Sequence, residues 1–255
     1  MRRLYQQNAS SSDELDIRSP RLAPIISYPH FSECEYKDRI AEMESLGITS
    51  IILGGKTIIK STPVAGKGCV GIVVKAKARG TVCALKIRRT DADRKTMDNE
   101  ARFHKIANSV GVGPPLEGQT KNLIAMEFVP GQSIVEWVAH HTIKRKMRRV
   151  ARAILEQCFK LDRAGLDHGE LSRLERHVIV SDRSHIIDFE SASTARKTSN
   201  VTAAAQSIFL YGTVASRVQK MLGDTDREKL ILALRTYKQS QTRANFESAL
   251  GSLLI

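Results

Sequence analysis

No uninterrupted apolar run in the 255 residues approaches the ~20 positions that a membrane-spanning helix needs. The first residues, Met1-Arg2-Arg3-Leu4-Tyr5-Gln6-Gln7, lack the apolar centre of a secretory signal peptide. A cytoplasmic protein without membrane contact is therefore expected. The four cysteines, Cys34, Cys69, Cys83 and Cys158, are scattered, with neither the paired spacing of a zinc site nor the density of a disulfide framework, so reduced thiols are expected. No segment repeats along the chain. Carboxylates are in the minority, 27 Asp and Glu against 40 Lys and Arg, which leaves a net charge of +13. That excess suits an anionic partner, nucleic acid first, or else a basic surface that serves solubility. Aromatic residues are also few, and only Trp137 lies near the basic run Lys144 to Arg152, so base stacking is not expected there. What remains is 42% hydrophobic and 26% charged, the composition of a soluble globular protein with room for one large domain or two small lobes.

Residues 1–31 are polar and serine-rich, with Pro20, Pro24 and Pro29, and read as a disordered or loosely ordered arm. Ile40, Met43 and Leu46 then share a helical face that Gly47 stops, and Ile51-Ile52-Leu53 and Thr57-Ile58-Ile59 flank Gly54-Gly55 as a hairpin. Together, residues 32–56 form a helix-plus-hairpin extension. Gly55-Lys56-Thr57 is not a P-loop, because Ser50 stands where that motif needs its first glycine.

Gly66-Lys67-Gly68-Cys69-Val70-Gly71-Ile72-Val73 fits G-x-G-x-x-G-x-V, in which glycines allow backbone to approach phosphate oxygens. A dinucleotide fold would use the same glycines but opens a helix there; here apolar strands follow, Val70 to Val74 and Thr81 to Ile87, the second ending on Ala84-Leu85-Lys86. A helical segment from Asp93 to Asn108 carries Glu100 at its middle. Leu123 to Val129 reads as a strand running into Pro130-Gly131. Residues 133–164 are helical, with Met147, Val150, Ile154, Leu155, Cys158 and Leu161 as a core stripe, while Lys144, Arg145, Lys146, Arg148, Arg149 and Arg152 form either a solvated face or an anion-binding one. His168-Gly169-Glu170-Leu171 is a loop with a carboxylate. Val178-Ile179-Val180 and Ile186 to Glu190 are short buried strands around the turn Ser181 to Ser184, the second bringing Asp188 to the same sheet edge as Glu170. Alone that hairpin reads equally as a surface turn with solvated acids. Beyond it the sequence is helical over 201–222, 224–237 and 242–254.

Glycine loop, strand lysine, helix glutamate, hinge, carboxylate loop and terminal aspartate stand in the order of the protein-kinase superfamily, and the stretch from about residue 57 to 255 resembles the atypical archaeal kinases, namely the RIO kinases and the kinase subunit of the KEOPS tRNA-modifying complex. His168-Gly169-Glu170-Leu171 is similar to their His-Gly-Asp-Leu loop, and the chain has no Ala-Pro-Glu segment. The resemblance implies an α+β, two-lobed protein-kinase-like fold: a small β-rich N-lobe over 57–130 and a reduced, mainly helical C-lobe over 131–255. It implies a serine/threonine kinase binding ATP with Mg²⁺ or Mn²⁺ in the cleft. Gly66, Lys67, Gly68 and Gly71 would cover the phosphates, Lys86 and Glu100 would set them, Val73, Ala84 and Met126 would line the pocket, and the backbone of Glu127, Phe128 and Val129 would meet adenine. Asp188 would hold the metal and Glu170 would handle the acceptor proton. The second metal ligand would be Glu175 or His177, depending on the gap allowed. The sequence departs from the family at Glu170, an aspartate there, and at Glu190, commonly a glycine. A nucleotide-binding pseudokinase, an ATPase, and a sugar- or aminoglycoside-type kinase stay open beside a protein kinase. RNA or ribosomal precursors are the partners the resemblance and the charge imply, together with a protein substrate.

Overall fold

The computed structural model describes residues 13–253 as a mixed α and β protein. Two compact units share the chain. The first runs to Arg102 and takes in Pro115–Pro130; the second comprises Phe103–Pro114 and everything from Gly131.

The first unit is built on an antiparallel sheet. Its strands are β1 (Glu14–Asp16), β2 (Ile48–Ile52), β5 (Gly66–Lys67), β6 (Gly71–Ala78), β7 (Thr81–Arg88), β8 (Leu116–Gln119) and β9 (Leu123–Glu127). The order is β1-β2-β6-β7-β9-β8, with β5 beside β6. β3 (Thr57–Ile59) and β4 (Thr62–Val64) pair separately. The β6–β7 ladder runs unbroken from Gly71↔Arg88 to Ala78↔Thr81. Arg79 and Gly80 both have positive φ, +49° and +82°, as a two-residue hairpin turn requires to match strand twist. Ile72, Val74, Ala76, Cys83, Leu85 and Ile87 build a core with Ile51, Leu123 and Ala125. Two helices cover part of it: α1 (Ala23–Ile26) and α2 (Glu33–Ser45). Ser32 caps α2 by accepting from Glu35 N–H, Glu33 and Glu35 suit its positive end, and Gly47 at φ +74° ends it. Glu42 then takes Asn122 N–H at 2.9 Å and Asn122 Nδ2 at 2.6 Å, which pins the helix to the start of β9.

Several expectations need correcting here. Residues 13–31 are not a disordered arm: Leu15 pairs with Ile51 across β1–β2, and Leu22, Ile25 and Ile26 are buried in the core. Residues 1–12 lie outside the described part. Gly54-Gly55 does not join a hairpin of Ile51–Leu53 with Thr57–Ile59. β2 instead pairs with β1 and β6, and β3 turns back at Lys60-Ser61 to pair with β4. No boundary therefore separates residues 32–56 from 57–130. Strand β8 was not expected.

The second unit contains β10 (Gln132–Ser133), α4 (Ile134–His140), α5 (Lys144–Arg163), β11 (Val178–Val180), β12 (Ser184–Ile186), α6 (Asn200–Phe209), α7 (Gly212–Leu222), α8 (Arg227–Gln239) and α9 (Arg243–Ser252). The boundary at Arg102 falls inside α3 (Asp98–Ser109), which begins later than the 93–108 pattern suggested. The expected stripe on α5 is buried, with Met147, Val150, Ile154, Leu155, Cys158 and Leu161 in one core with Phe189, Phe209 and Tyr237. Residues 133–164 are two helices, not one, because His141 to Ile143 turn extended at the β-branched pair Thr142-Ile143. Likewise 201–222 breaks at Leu210-Tyr211, before Gly212 at φ +93°. The second hairpin strand stops at Ile186, short of the expected Glu190, because Asp188 adopts φ +69° and leaves the sheet. All four cysteines are free; Cys83 and Cys158 are buried, and burial pushes the Cys83 thiol up to about 11.

Candidate active site

In the first unit, Lys86 on β7 and Glu100 on α3 meet at 2.7 Å, Nζ to Oε1, with each only 4% exposed. The glycine segment forms the β5–β6 hairpin, with Gly66 opposite Val73 and Gly68 N–H donating to Gly71 O at 2.8 Å. Gly71 lies against the lysine itself. A Cβ there would stand 3.0 Å from Lys86 Cγ and 3.0 Å from Ile87 O, so glycine is what lets the hairpin sit so close to Lys86. Val73 faces Lys86 in the ladder, and Ala84 faces Met126. β9 ends at Glu127, whose N–H donates to Pro115 O at 2.8 Å, so that amide is engaged within the unit. The Phe128 ring carries Lys75 Nζ 4.7 Å above its centroid.

In the second unit a buried carboxylate organises the loops. Asp162, on the last turn of α5, accepts from Asn200 N–H at 2.9 Å, Asn200 Nδ2 at 2.8 Å, Val201 N–H at 3.2 Å and Tyr237 Oη at 2.9 Å. It thereby caps the positive end of α6. Burial pushes its pKa up, the four bonds pull it down, and burial also raises that of Tyr237. Asn200 Oδ1 in turn accepts from His168 N–H at 2.8 Å. Asp167 and Ser193 bond each other's backbones at 2.9 and 2.8 Å, and Asp167 also holds Arg196 Nε at 3.0 Å. The loop of Glu170 and the segment after Asp188 are thus tied together.

Gly169, at φ +89°, completes this tie: a Cβ would stand 2.6 Å from Arg196 Nη2 and 2.7 Å from Ser191 O. His168 is fully buried, donates Nε2–H to Ile187 O at 3.1 Å, and packs against Phe189 at 5.3 Å. Burial lowers its pKa to about 4, with the neighbouring His177 adding to the effect, so the ring is neutral at physiological pH. Phe189 is anchored in the core against His104 and Gly113. Asp188, just before it, holds φ +69°, in the left-handed region that aspartate tolerates better than most residues other than glycine. Glu170 is half-buried, and His177 Nε2 lies 3.6 Å from its Oε2.

Of the two alternatives for a second ligand, His177 is the one brought to Glu170. Glu175 sits on the short turn Leu171–Arg176. Sequence reasoning missed Glu190: a carboxylate oxygen of Glu190 lies within 4.8 Å of one on Asp188. The signal was the Asp-Phe-Glu triplet, an aromatic anchor between two acids.

No family model matches the sequence. The chain is similar to the uncharacterized protein MJ1211 of Methanocaldococcus jannaschii, 30% identical over 97 residues, which is 38% of this chain and 83% of that protein. The chain belongs to the MJ1211 family. MJ1211 is described as uncharacterized, so membership brings no activity with it, and the chemistry must be argued from the side chains above.

Proposed function

We propose that this protein is an ATP-dependent phosphotransferase of two-lobed, protein-kinase-like fold, acting in the cytoplasm and transferring the γ-phosphoryl group of ATP to a serine or threonine hydroxyl. The observation that carries the proposal is the buried Lys86–Glu100 pair beside Gly71. Buried ion pairs are poor stabilisers, since desolvation offsets most of their attraction and apolar pairs of similar volume often do as well or better. An ammonium held by a carboxylate at the base of a glycine hairpin, with Gly71 packed against it and Gly68 exposed further out, is, however, well suited to phosphate oxygens. Gly66, Lys67, Gly68 and Gly71 would cover the phosphates, Val73, Ala84 and Met126 would line the base, and the backbone around Glu127, Phe128 and Val129 would meet adenine.

Asp188 and Glu190 offer the hard oxygen donors that Mg²⁺ or Mn²⁺ prefers, and a divalent ion there would offset phosphate charge. His177 is a softer donor, better read as a neighbour of Glu170 than as a magnesium ligand. Glu170 accepts the acceptor's proton while the acceptor oxygen bonds to the γ-phosphorus, the bond to the bridging oxygen breaks, and ADP leaves. The glutamate sets the second reading. One methylene more than aspartate shifts the carboxylate by about an ångström, enough to cost ~10²-fold, so a slow ATPase or a nucleotide-binding pseudokinase is the competitor.

RNA is the partner class we favour, with ribosomal precursors or tRNA as candidates. Lys144, Arg145, Lys146, Arg148 and Arg149 are exposed on the first two turns of α5, and no ion pair engages them among the described residues. Cations at this end of a helix oppose its dipole, an arrangement that an anionic partner would relieve. Arg152, one turn on, is by contrast paired with Glu247 at 3.2 Å.

The test is phosphate release and transfer from Mg-ATP, measured with a protein acceptor, with a panel of sugars and aminoglycosides, and with no acceptor. Transfer to protein hydroxyls, abolished in Asp188→Asn, supports the kinase reading. Transfer to the small molecules alone assigns a small-molecule kinase, and ADP formation without transfer an ATPase. Nucleotide binding with none of these assigns a pseudokinase.

A further inference from the structure

The segment before α2 reaches the glycine hairpin through one side chain. Tyr28 Oη accepts from Lys67 Nζ at 2.7 Å. Lys67 Nζ also lies 4.9 Å from the centre of the Tyr28 ring, and the Arg89 guanidinium lies 5.4 Å from it. Arg89 is itself bound to the hairpin: its Nη1 donates to Gly68 O at 3.1 Å and its N–H to Val70 O at 2.8 Å. Asp91 fixes the rest of the guanidinium at 2.9 and 2.7 Å. The main chain of Tyr28 is held as well, its carbonyl accepting from Thr90 N–H at 2.8 Å, and the next carbonyl, of Pro29, takes Lys60 Nζ at 3.0 Å. A single aromatic ring thus ties both cations of the glycine hairpin's base to a segment that the core already anchors through Leu22, Ile25 and Ile26.

This geometry has a specific consequence. Glycines give a hairpin freedom to approach phosphate, but that freedom is lost entropy whenever a ligand must order the loop. A lysine bonded to the tyrosine hydroxyl and an arginine lying over its ring reduce the loss beforehand. We propose that Tyr28 is a positioning residue for nucleotide binding: it holds the glycine hairpin, through Lys67 and Arg89, in the form that receives the phosphates. The proposal rests on the phosphotransferase reading for its ligand, but the clamp itself does not.

The experiment is hydrogen exchange of residues 66–71 without nucleotide, alongside Mg-ATP affinity and the kcat and KM for ATP, in wild type, Tyr28→Phe and Tyr28→Ala. In Tyr28→Ala, exchange in the hairpin is expected to rise about tenfold while the rest of the sheet keeps its protection. ATP affinity should fall about fivefold, appearing in KM and not in kcat. Tyr28→Phe, which keeps the ring but not the hydroxyl, should lie between. Unchanged hairpin exchange in Tyr28→Ala overturns the proposal. So does a rise spread over the whole unit with a lowered melting temperature, because the role would then be one of folding. Faster hairpin exchange with unaltered ATP affinity also overturns it. If wild type binds no ATP, the phosphotransferase reading fails, and the exchange data alone report whether the clamp exists.

Discussion

In the proposed phosphotransferase, Glu170 is the residue on which the chemistry turns. If it takes the acceptor's proton, Glu170→Gln should slow phosphoryl transfer by ~10²-fold or more and leave ATP affinity nearly unchanged. Single-turnover transfer beside equilibrium binding checks this, and equal transfer in the mutant moves the role elsewhere. Glu170→Asp is the sharper probe, since a gain in rate means the longer side chain holds the carboxylate off its best position.

His168 makes a separate prediction at the same scale. Its folded pKa, about 4, lies below the ordinary 6.5, so the unfolded chain binds the extra proton first. The stability from burying a neutral ring is fully present above about pH 6.5 and is lost as pH falls toward 4. The loss is on the order of 3 kcal/mol for a fully buried group. Denaturant unfolding at a series of pH values should show this slope, and His168→Gln should flatten it; an unchanged slope would assign the acid sensitivity to other groups.

Among the elements, those whose pairing is local were legible. The strands expected at 70–74 and 81–87 correspond to β6 and β7, although β6 runs on to Ala78, where a turn was expected, and α5 repeats its apolar residues at steps of three and four. The elements missed depend on distant partners. Glu14-Leu15-Asp16 and Leu116-Glu117-Gly118-Gln119 are polar and short, and each becomes a strand only because an edge of the sheet accepts it. The same holds for the site. Lys86, Glu100 and the glycines follow a linear pattern, whereas Asp162 and Asn200 are 38 positions apart and join only in the folded unit. Glu190 was passed over because a glycine was expected in its place. One prediction belongs to this scale: Gly169→Ala adds strain at φ +89° and a clash with Ser191 O, and should destabilise the protein by roughly 1–3 kcal/mol, read as a shift in the urea midpoint. A midpoint equal to wild type would mean that the Glu170 loop is not held as tightly as the Asp162–Asn200–Asp167 network suggests.

For the whole molecule, the net charge of +13 matters only if part of it is directed at a partner. RNA affinity measured across a salt series should fall steeply with salt and show little sequence preference, because charge neutralisation would supply the binding. Changing Lys144, Arg145, Arg148 and Arg149 to glutamate should flatten that slope with ATP binding intact. No RNA binding at low salt, or an unaltered slope in the variant, would remove RNA as the partner without touching the proposed nucleotide site. That site is tested most directly by the equilibrium affinity for Mg-ATP of wild type beside Lys86→Ala. The account predicts saturable binding in wild type that weakens more than tenfold in the variant, measured where denaturant curves show both proteins folded, since removing one partner of the buried pair also lowers the variant's stability. No binding by wild type, or equal binding by a folded Lys86→Ala protein, would contradict it.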